Sequence, residues 1–204
     1  MKLLYGITGS VAAILAPKLI AELRNHHEVK VMITNKVKFF WDPGRAPQTE
    51  EIAEREEILK NVEIFQDIDE WRSKLDGTRD YYQRGDPVLH IELRKWADAL
   101  LIAPLSANTL GKMANGLADN LLTSVLRAWE RRKPIFLAPA MNTEMWCHPI
   151  TKEHLSKLKE WYPHLTVFEP VSKILACRDE GLGAMASIDA IMKGIKDQEW
   201  IIHP

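Results

Sequence analysis

His90, Asn142 and Cys177 are the side chains in this sequence whose types and settings best suit chemistry on a small polar substrate. A histidine can shuttle a proton near neutral pH. His90 stands beside an apolar stripe of Leu89, Leu93 and Trp96, and taken alone it reads as a satisfied residue at the edge of that stripe. Asn142 both donates and accepts hydrogen bonds, so it can hold a carboxylate or an amide. Its segment, Pro139–Trp146 (PAMNTEMW), also carries Met141, Met145 and Trp146, which are not at helical core spacing. Methionine and tryptophan suit contact with a flat, polarizable ring. A satellite hydrophobic cluster would use the same residues, but the expected strand-end position favours a site. Cys177 lies in LACRDEGLGAM, which reads as a mobile loop with Gly181 and Gly183 giving backbone freedom. Arg178 beside it could favour the thiolate, although a lone cysteine is more often inert and buried, as Cys147 is read to be.

Two other segments suit an anion or a polar cofactor. Gly6–Val11 (GITGSV) puts glycine, the Ser10 hydroxyl and unpaired N–H groups at an expected helix N-terminus, which can bind a phosphate monoester. The same residues equally describe a turn with Ser10 as a plain helix cap. Ser106, Asn108 and Thr109 place three hydrogen-bonding side chains just past an apolar run, more than a cap requires. Asp119-Asn120 reads as a solvated face. GITGSV is neither a GxGxxG fingerprint nor a P-loop, and GxSxG, HExxH and CxxC patterns are absent from the sequence. The remaining histidines lack metal-ligand spacing, so no metal is expected.

These residues need a scaffold, and the hydrophobic pattern supplies one. Apolar or alternating runs at Leu3–Ile7, Val29–Thr34, Val62–Phe65, Ala99–Ala103, Pro134–Ala138 and Leu165–Phe168 predict strands. Pro104 and Pro139 are expected to stop the fourth and fifth. Helical spacing follows the first strand through Val11, Ile14, Leu15, Leu19 and Leu23. Further helices are predicted at Thr49–Asn61, from Asp86-Pro87 to Ala97, over most of Asn108–Trp129 with interruptions at Gly111 and Gly116, at Thr151–Trp161 and at Ile188–Lys196. Ser73–Gly85 reads as a surface loop. Alternating strands and helices, with strands apolar on both faces, predict an α/β three-layer sandwich around a central parallel sheet. Ligands in such folds lie off the carboxyl ends of the strands, so the candidate loops are Thr8–Val11, Thr34–Lys38, Pro104–Thr109 and Pro139–Trp146.

Composition narrows the class. The chain has 204 residues, with 27 Lys+Arg against 28 Asp+Glu, a net charge of −1. A single domain spanning 1–204 is expected, and a chain this size buries roughly 70% of its unfolded surface. The near-neutral balance offers no broad field for phosphates, so nucleic acid is not an expected partner. Two cysteines build no disulfide framework, which points to a reducing compartment, the cytoplasm. No apolar run is long enough to span a membrane. The apolar start reads as strand, turn and helix rather than as a secretory signal, because Gly6, Thr8, Gly9 and Ser10 interrupt it.

Five segments taken in order (GSVAA at Gly9–Ala13, HIELRKWAD at His90–Asp98, APLSANTLGK at Ala103–Lys112, PAMNTEMW at Pro139–Trp146 and ACRDEGLGAM at Ala176–Met185) resemble the homo-oligomeric flavin-containing Cys decarboxylases. The likeness spans nearly the whole chain, and the combination is far more specific than any one segment. It implies a flavodoxin/Rossmann-like fold and an FMN-dependent step of coenzyme A synthesis, the conversion of 4′-phospho-N-pantothenoylcysteine to 4′-phosphopantetheine and CO2. A plain cysteinyl carboxylate leaves no electron sink when CO2 departs. Transient oxidation of the thiol by flavin creates a thiocarbonyl sink, and the electrons are then returned.

The resemblance also implies roles. His90 is similar to the base assisting substrate oxidation, and Cys177 to the proton donor of the final reduction. Asn142 resembles the carboxylate-binding residue, with Met145, Ala176 and Met185 as further substrate contacts. Gly9, Ser10, Val11, Thr34, Lys36 and Ser106, Ala107, Asn108 and Thr109 resemble FMN contacts, phosphate end first, and Ala140 and Met141 resemble contacts near the ring. The family implies a homotrimer with FMN between subunits, so His90 and Cys177 need not meet within one chain. Without a second enzymatic domain after Pro204, the sequence looks like the stand-alone enzyme. Arg178 departs from the glycine usual after the loop cysteine, and the stretch between Trp41 and Gly85 looks longer than in the family. Three other activities share the fold: a phosphatase-inhibiting regulatory protein, a flavin prenyltransferase, and a decarboxylase acting on the C-terminal cysteine of a peptide.

Overall fold

The strands expected from apolar runs all form, and their alternation divides the interior in two. The structure, a computed structural model, describes residues 1–41, 56–71, 83–174 and 180–198. β1 (Lys2–Ile7), β2 (Glu28–Ile33), β3 (Ile64–Phe65), β4 (Ala99–Leu105), β5 (Ile135–Pro139) and β6 (Leu165–Val167) form one sheet in the order β3-β2-β1-β4-β5-β6, with every neighbouring pair parallel. Successive strand residues point to opposite faces. Leu3, Tyr5 and Ile7 therefore join one core with α1 (Ala16–Arg24) and α8 (Ile188–Lys196). Leu4, Leu100 and Ile102 join the other, beneath α3 (Leu89–Trp96), α4 (Ala107–Ala114), α5 (Leu121–Arg127) and α7 (Pro149–Trp161). Helices thus cover both faces, as the two-sided apolar strands require.

Two short helices, α2 (Lys38–Trp41) and α6 (Thr143–Cys147), follow β2 and β5. Residues 56–60 are also helical and Asn61 is a turn, while 49–55 of the segment predicted as a helix at Thr49–Asn61 lie outside the described residues, as does most of Ser73–Gly85. Among the described residues no helix is long and apolar enough to cross a membrane.

Several boundaries differ from the sequence expectations. The first turns after β1 are a 3-10 helix, Val11–Leu15, and the α-helix begins only at Ala16. Val11, Ile14 and Leu15 are consequently exposed rather than buried on a helical stripe. Pro139 is the last residue of β5, as expected, but Pro104 does not stop β4; it lies inside that strand, at a register irregularity between Ile102 and Leu105. Gly111 sits within α4 without breaking it, and the interruption falls at 115–120, where Gly116 takes a φ of 68°. Asn120 is no solvated residue: its side chain caps α5 in a capping box with Thr123. Asp119 pairs with Lys112, whose hydrogen bond lowers the carboxyl pKa. Asp86 does not start α3. Its carboxylate accepts the Gln83 N–H at 2.7 Å, and the helix begins at Leu89.

Tyr5 is fully buried beneath the carboxyl edge, and its hydroxyl donates to the Ala103 carbonyl at 2.5 Å. Burial raises its pKa well above the usual value. The folded state therefore keeps this proton at a pH where the unfolded chain loses it. The resulting stability is complete below about pH 10 and is lost as pH rises through the folded value. Tyr5→Phe is expected to cost about 1–2 kcal/mol near neutrality, from the stranded carbonyl. It should also remove this residue's share of alkaline destabilisation, which urea unfolding at neutral and alkaline pH will measure.

Candidate functional site

Parallel pairing brings the ends of β2, β1, β4 and β5 side by side, so the four expected ligand loops share one edge. Thr8, fully buried, ties two of them together. Its hydroxyl donates to Pro104 O at 2.7 Å and accepts the Ser106 N–H at 2.8 Å. The Thr34 N–H donates to Ile7 O, and the Ala140 N–H to Leu105 O. Ser10 does not cap the turn it begins; its hydroxyl donates across the edge to Ala140 O at 3.1 Å. A Cβ at position 9 would stand 2.4 Å from Lys36 Cβ, so only glycine lets the loops after β1 and β2 meet this closely. Thr8 is a residue sequence reasoning missed. A lone threonine gives no spacing signal, and its role appears only when β1 and β4 are neighbours.

Gly9, Ser10, Thr34, Lys36, Ser106 and Ala140 are thereby gathered, with Val11 and Lys36 exposed. Ser106 caps α4, accepting the Thr109 N–H at 3.3 Å and donating to the Thr109 hydroxyl at 3.2 Å. Two of the three polar side chains in that segment are therefore used on each other, while Asn108 is exposed and Ala107 half-buried.

On the β5 side, Met145 and Trp146 stand on the short helix α6, against the expectation of a loop. Asn142 caps it, accepting the Glu144 N–H at 2.8 Å. Met145 is 50% exposed, and Cys147 is exposed rather than buried. The second half of the segment expected as a glycine-freed loop is instead a strand, β8 (Glu180–Ala184), paired antiparallel with β7 (Val171–Ile174), which precedes that segment. Its glycines serve close approach. A Cβ at 181 would stand 2.2 Å from Thr143 Oγ1, and one at 183 would stand 2.2 Å from Met141 O. The Met141 N–H donates to Gly183 O at 3.0 Å, which fastens the hairpin to the Asn142 loop. Met185 is buried in the core beside it. Ala176, Cys177 and Arg178 lie outside the described residues.

His90 is in the first turn of α3, which runs antiparallel to β4, so this turn lies at the same carboxyl edge. Its partner is Glu70, from the 3-10 turn Asp67–Trp71 that follows β3. Glu70 Oε1 stands 2.5 Å from His90 Nδ1, and Glu70 Oε2 accepts the His90 N–H at 3.0 Å. The same turn sends Asp67 to the Leu121 N–H, capping α5. Glu70 gave no sequence signal, because it sits in a polar stretch 20 residues before its partner. Among the described residues no group of three His, Cys, Asp or Glu side chains could hold a metal ion.

The edge thus offers hydroxyls and an exposed lysine at one end, methionine and a small-residue strand end at the other, and a carboxylate-held histidine. Comparison with known proteins places this arrangement in a family. The Flavoprotein family model matches residues 1–199. A phosphopantothenoylcysteine decarboxylase from Mus musculus is 43% identical over 198 residues, covering 96% of this chain and 85% of that protein. Among solved structures, a cysteine-to-serine mutant of PPC decarboxylase complexed with pantothenoylaminoethenethiol superposes with a TM-score of 0.81 at 44% identity, covering 98% of this chain and 97% of that one. The FMN binding protein AtHal3 gives 0.77 at 44% identity, covering 96% and 94%. The resemblance read from the five motifs is borne out: the chain belongs to the Flavoprotein family, among the phosphopantothenoylcysteine decarboxylases.

Proposed function

We propose that this protein is an FMN-dependent decarboxylase that converts 4′-phospho-N-pantothenoylcysteine to 4′-phosphopantetheine and CO2 in coenzyme A biosynthesis. The observation that carries this is the joined carboxyl edge, in which the loops after β1, β2, β4 and β5 are fastened to one another and to the hairpin that flanks Cys177 in sequence. Its neighbours of known structure bind FMN or an aminoethenethiol, as their names state.

The residues present fit the cofactor. The contact between Gly9 and Lys36 leaves a side-chain-free stretch of backbone beside a cation. Neither Ser10 nor Thr34 spends its hydroxyl capping the turn it starts. Together with Val11, Lys36 and the Ser106–Thr109 turn, these groups would hold the phosphate and ribityl end. Ala140 and Met141, at the end of β5, would lie against the ring. Bound FMN supplies a reversible two-electron acceptor, which a cysteinyl thiol needs before its neighbouring carboxylate can leave.

The chain's own side chains do the rest. His90 removes a proton as the thiol carbon is oxidised. Asn142, fixed as the cap of α6, orients the substrate carboxylate, with Met145 and Met185 beside it. Cys177, with Ala176 beside it in the sequence, returns a proton to the product. The working unit is a cytoplasmic homotrimer in which a partner chain completes the cofactor site. Exposed Val11, Ile14, Leu15 and Phe39, next to the cofactor loops, supply the apolar surface that such an assembly would cover. Purified protein should be yellow and release one FMN mass per chain on denaturation. A colourless protein that cannot be reconstituted with FMN would overturn the proposal.

A further inference from the structure

We propose that Glu70 is the positioning residue of the proton-transfer step, setting the tautomer and orientation of His90; this rests on the reading of His90 as the base. A helix cap needs one carboxylate oxygen. Glu70 sends both to one residue, Oε2 to the His90 backbone N–H at 3.0 Å and Oε1 to Nδ1 at 2.5 Å. The two contacts fix where α3 begins and how the ring on it is turned. The Glu70 side chain is 9% exposed and that of His90 25%, so the contact is largely shielded from water. An acceptor on Nδ1 requires that this nitrogen carry the hydrogen. Nε2 is then the ring's lone-pair nitrogen and the atom that takes the substrate proton. The carboxylate stabilises the imidazolium that forms, as in other carboxylate-oriented histidine bases.

Glu70 is also held from its own side. Its 3-10 turn is anchored to α5 through Asp67 and the Leu121 N–H at 3.1 Å, and is closed by the Asp69 carboxylate on the Gln66 N–H at 2.8 Å. The acidic turn after β3 is therefore a clamp joining α3 to α5, and its carboxylate at 70 faces the candidate base.

Glu70→Gln tests this in the FMN-loaded protein. The amide keeps an oxygen for the His90 N–H, so α3 stays capped, but its NH2 group faces Nδ1 and favours the opposite tautomer. We expect kcat to fall by about tenfold or more with KM little changed. Glu70→Asp should recover part of the loss. Long-range 1H–15N spectra of histidine-labelled protein, with His90 assigned by its absence in His90→Asn, should show the Nδ1–H form in the wild type and lose it in Glu70→Gln. An unchanged kcat or an unchanged tautomer in Glu70→Gln would make Glu70 a helix cap alone. If the wild type releases no CO2, the decarboxylase reading fails first, and the spectra still report whether Glu70 governs the His90 ring.

Discussion

His90→Asn lowers kcat for phosphopantothenoylcysteine decarboxylation by a factor of about 10²–10⁴, equivalent to about 3–5.5 kcal/mol of barrier. Asparagine has no ring nitrogen to accept the substrate proton. It keeps the backbone N–H that Glu70 accepts, so the start of α3 is preserved. The thermal midpoint and FMN content should therefore stay close to wild type, which separates a chemical defect from a folding one. Steady-state CO2 release, with the flavin spectrum recorded on the same sample, makes the comparison. A variant that retains near wild-type turnover would remove His90 from the reaction.

Cys177→Ser should change the product rather than abolish the first half of the reaction. On the proposed reading, bound FMN would hold the two electrons taken from the thiol while CO2 leaves, and Cys177 would supply the proton needed as they return to the ene-thiolate. A serine hydroxyl is a far weaker acid than a thiol, so reduction stalls. Under anaerobic conditions we expect one CO2 per flavin, a bleached flavin spectrum, and an organic product two hydrogens lighter than phosphopantetheine. Fully reduced phosphopantetheine from this variant, at the wild-type rate, would take the proton-donor role away from Cys177. In the sequence, position 177 falls between β7 and β8, and the Met141–Gly183 hydrogen bond ties β8 to the Asn142 loop.

The sheet was legible because β4 and β5 are apolar at every position, and β1 at every position after Lys2, and a strand buried on both faces leaves little else for such a run to be. The shared ligand edge followed from parallel pairing alone. What escaped reading depended on contacts between distant segments. Gly181 looked like conformational freedom, yet it is needed because Thr143 passes within side-chain distance; Gly183 uses that freedom, with a φ of 152°, and also meets Met141 closely. Asp86 looked like a helix cap, but it satisfies Gln83 instead, and Glu70 from another part of the chain takes its place at α3. Val11, Ile14 and Leu15 looked like a core stripe, and their exposure reflects a 3-10 turn that rotates them off the sheet. Naming the flavin and the substrate required the combined motifs, because hydroxyls, a lysine and methionines at a strand edge are compatible with many polar cofactors.

The family relationship leaves the substrate as the point to test, since a C-terminal peptidyl cysteine presents the same carboxylate and thiol. The most direct measurement is to mix FMN-loaded protein with 4′-phospho-N-pantothenoylcysteine, without added oxidant or reductant, and to quantify CO2 and 4′-phosphopantetheine together. Equal amounts of the two over many turnovers, with the flavin spectrum unchanged at the end, are the expected result. A fully flavin-loaded protein that releases no CO2 from this substrate, yet decarboxylates a peptide ending in cysteine, would contradict the assignment.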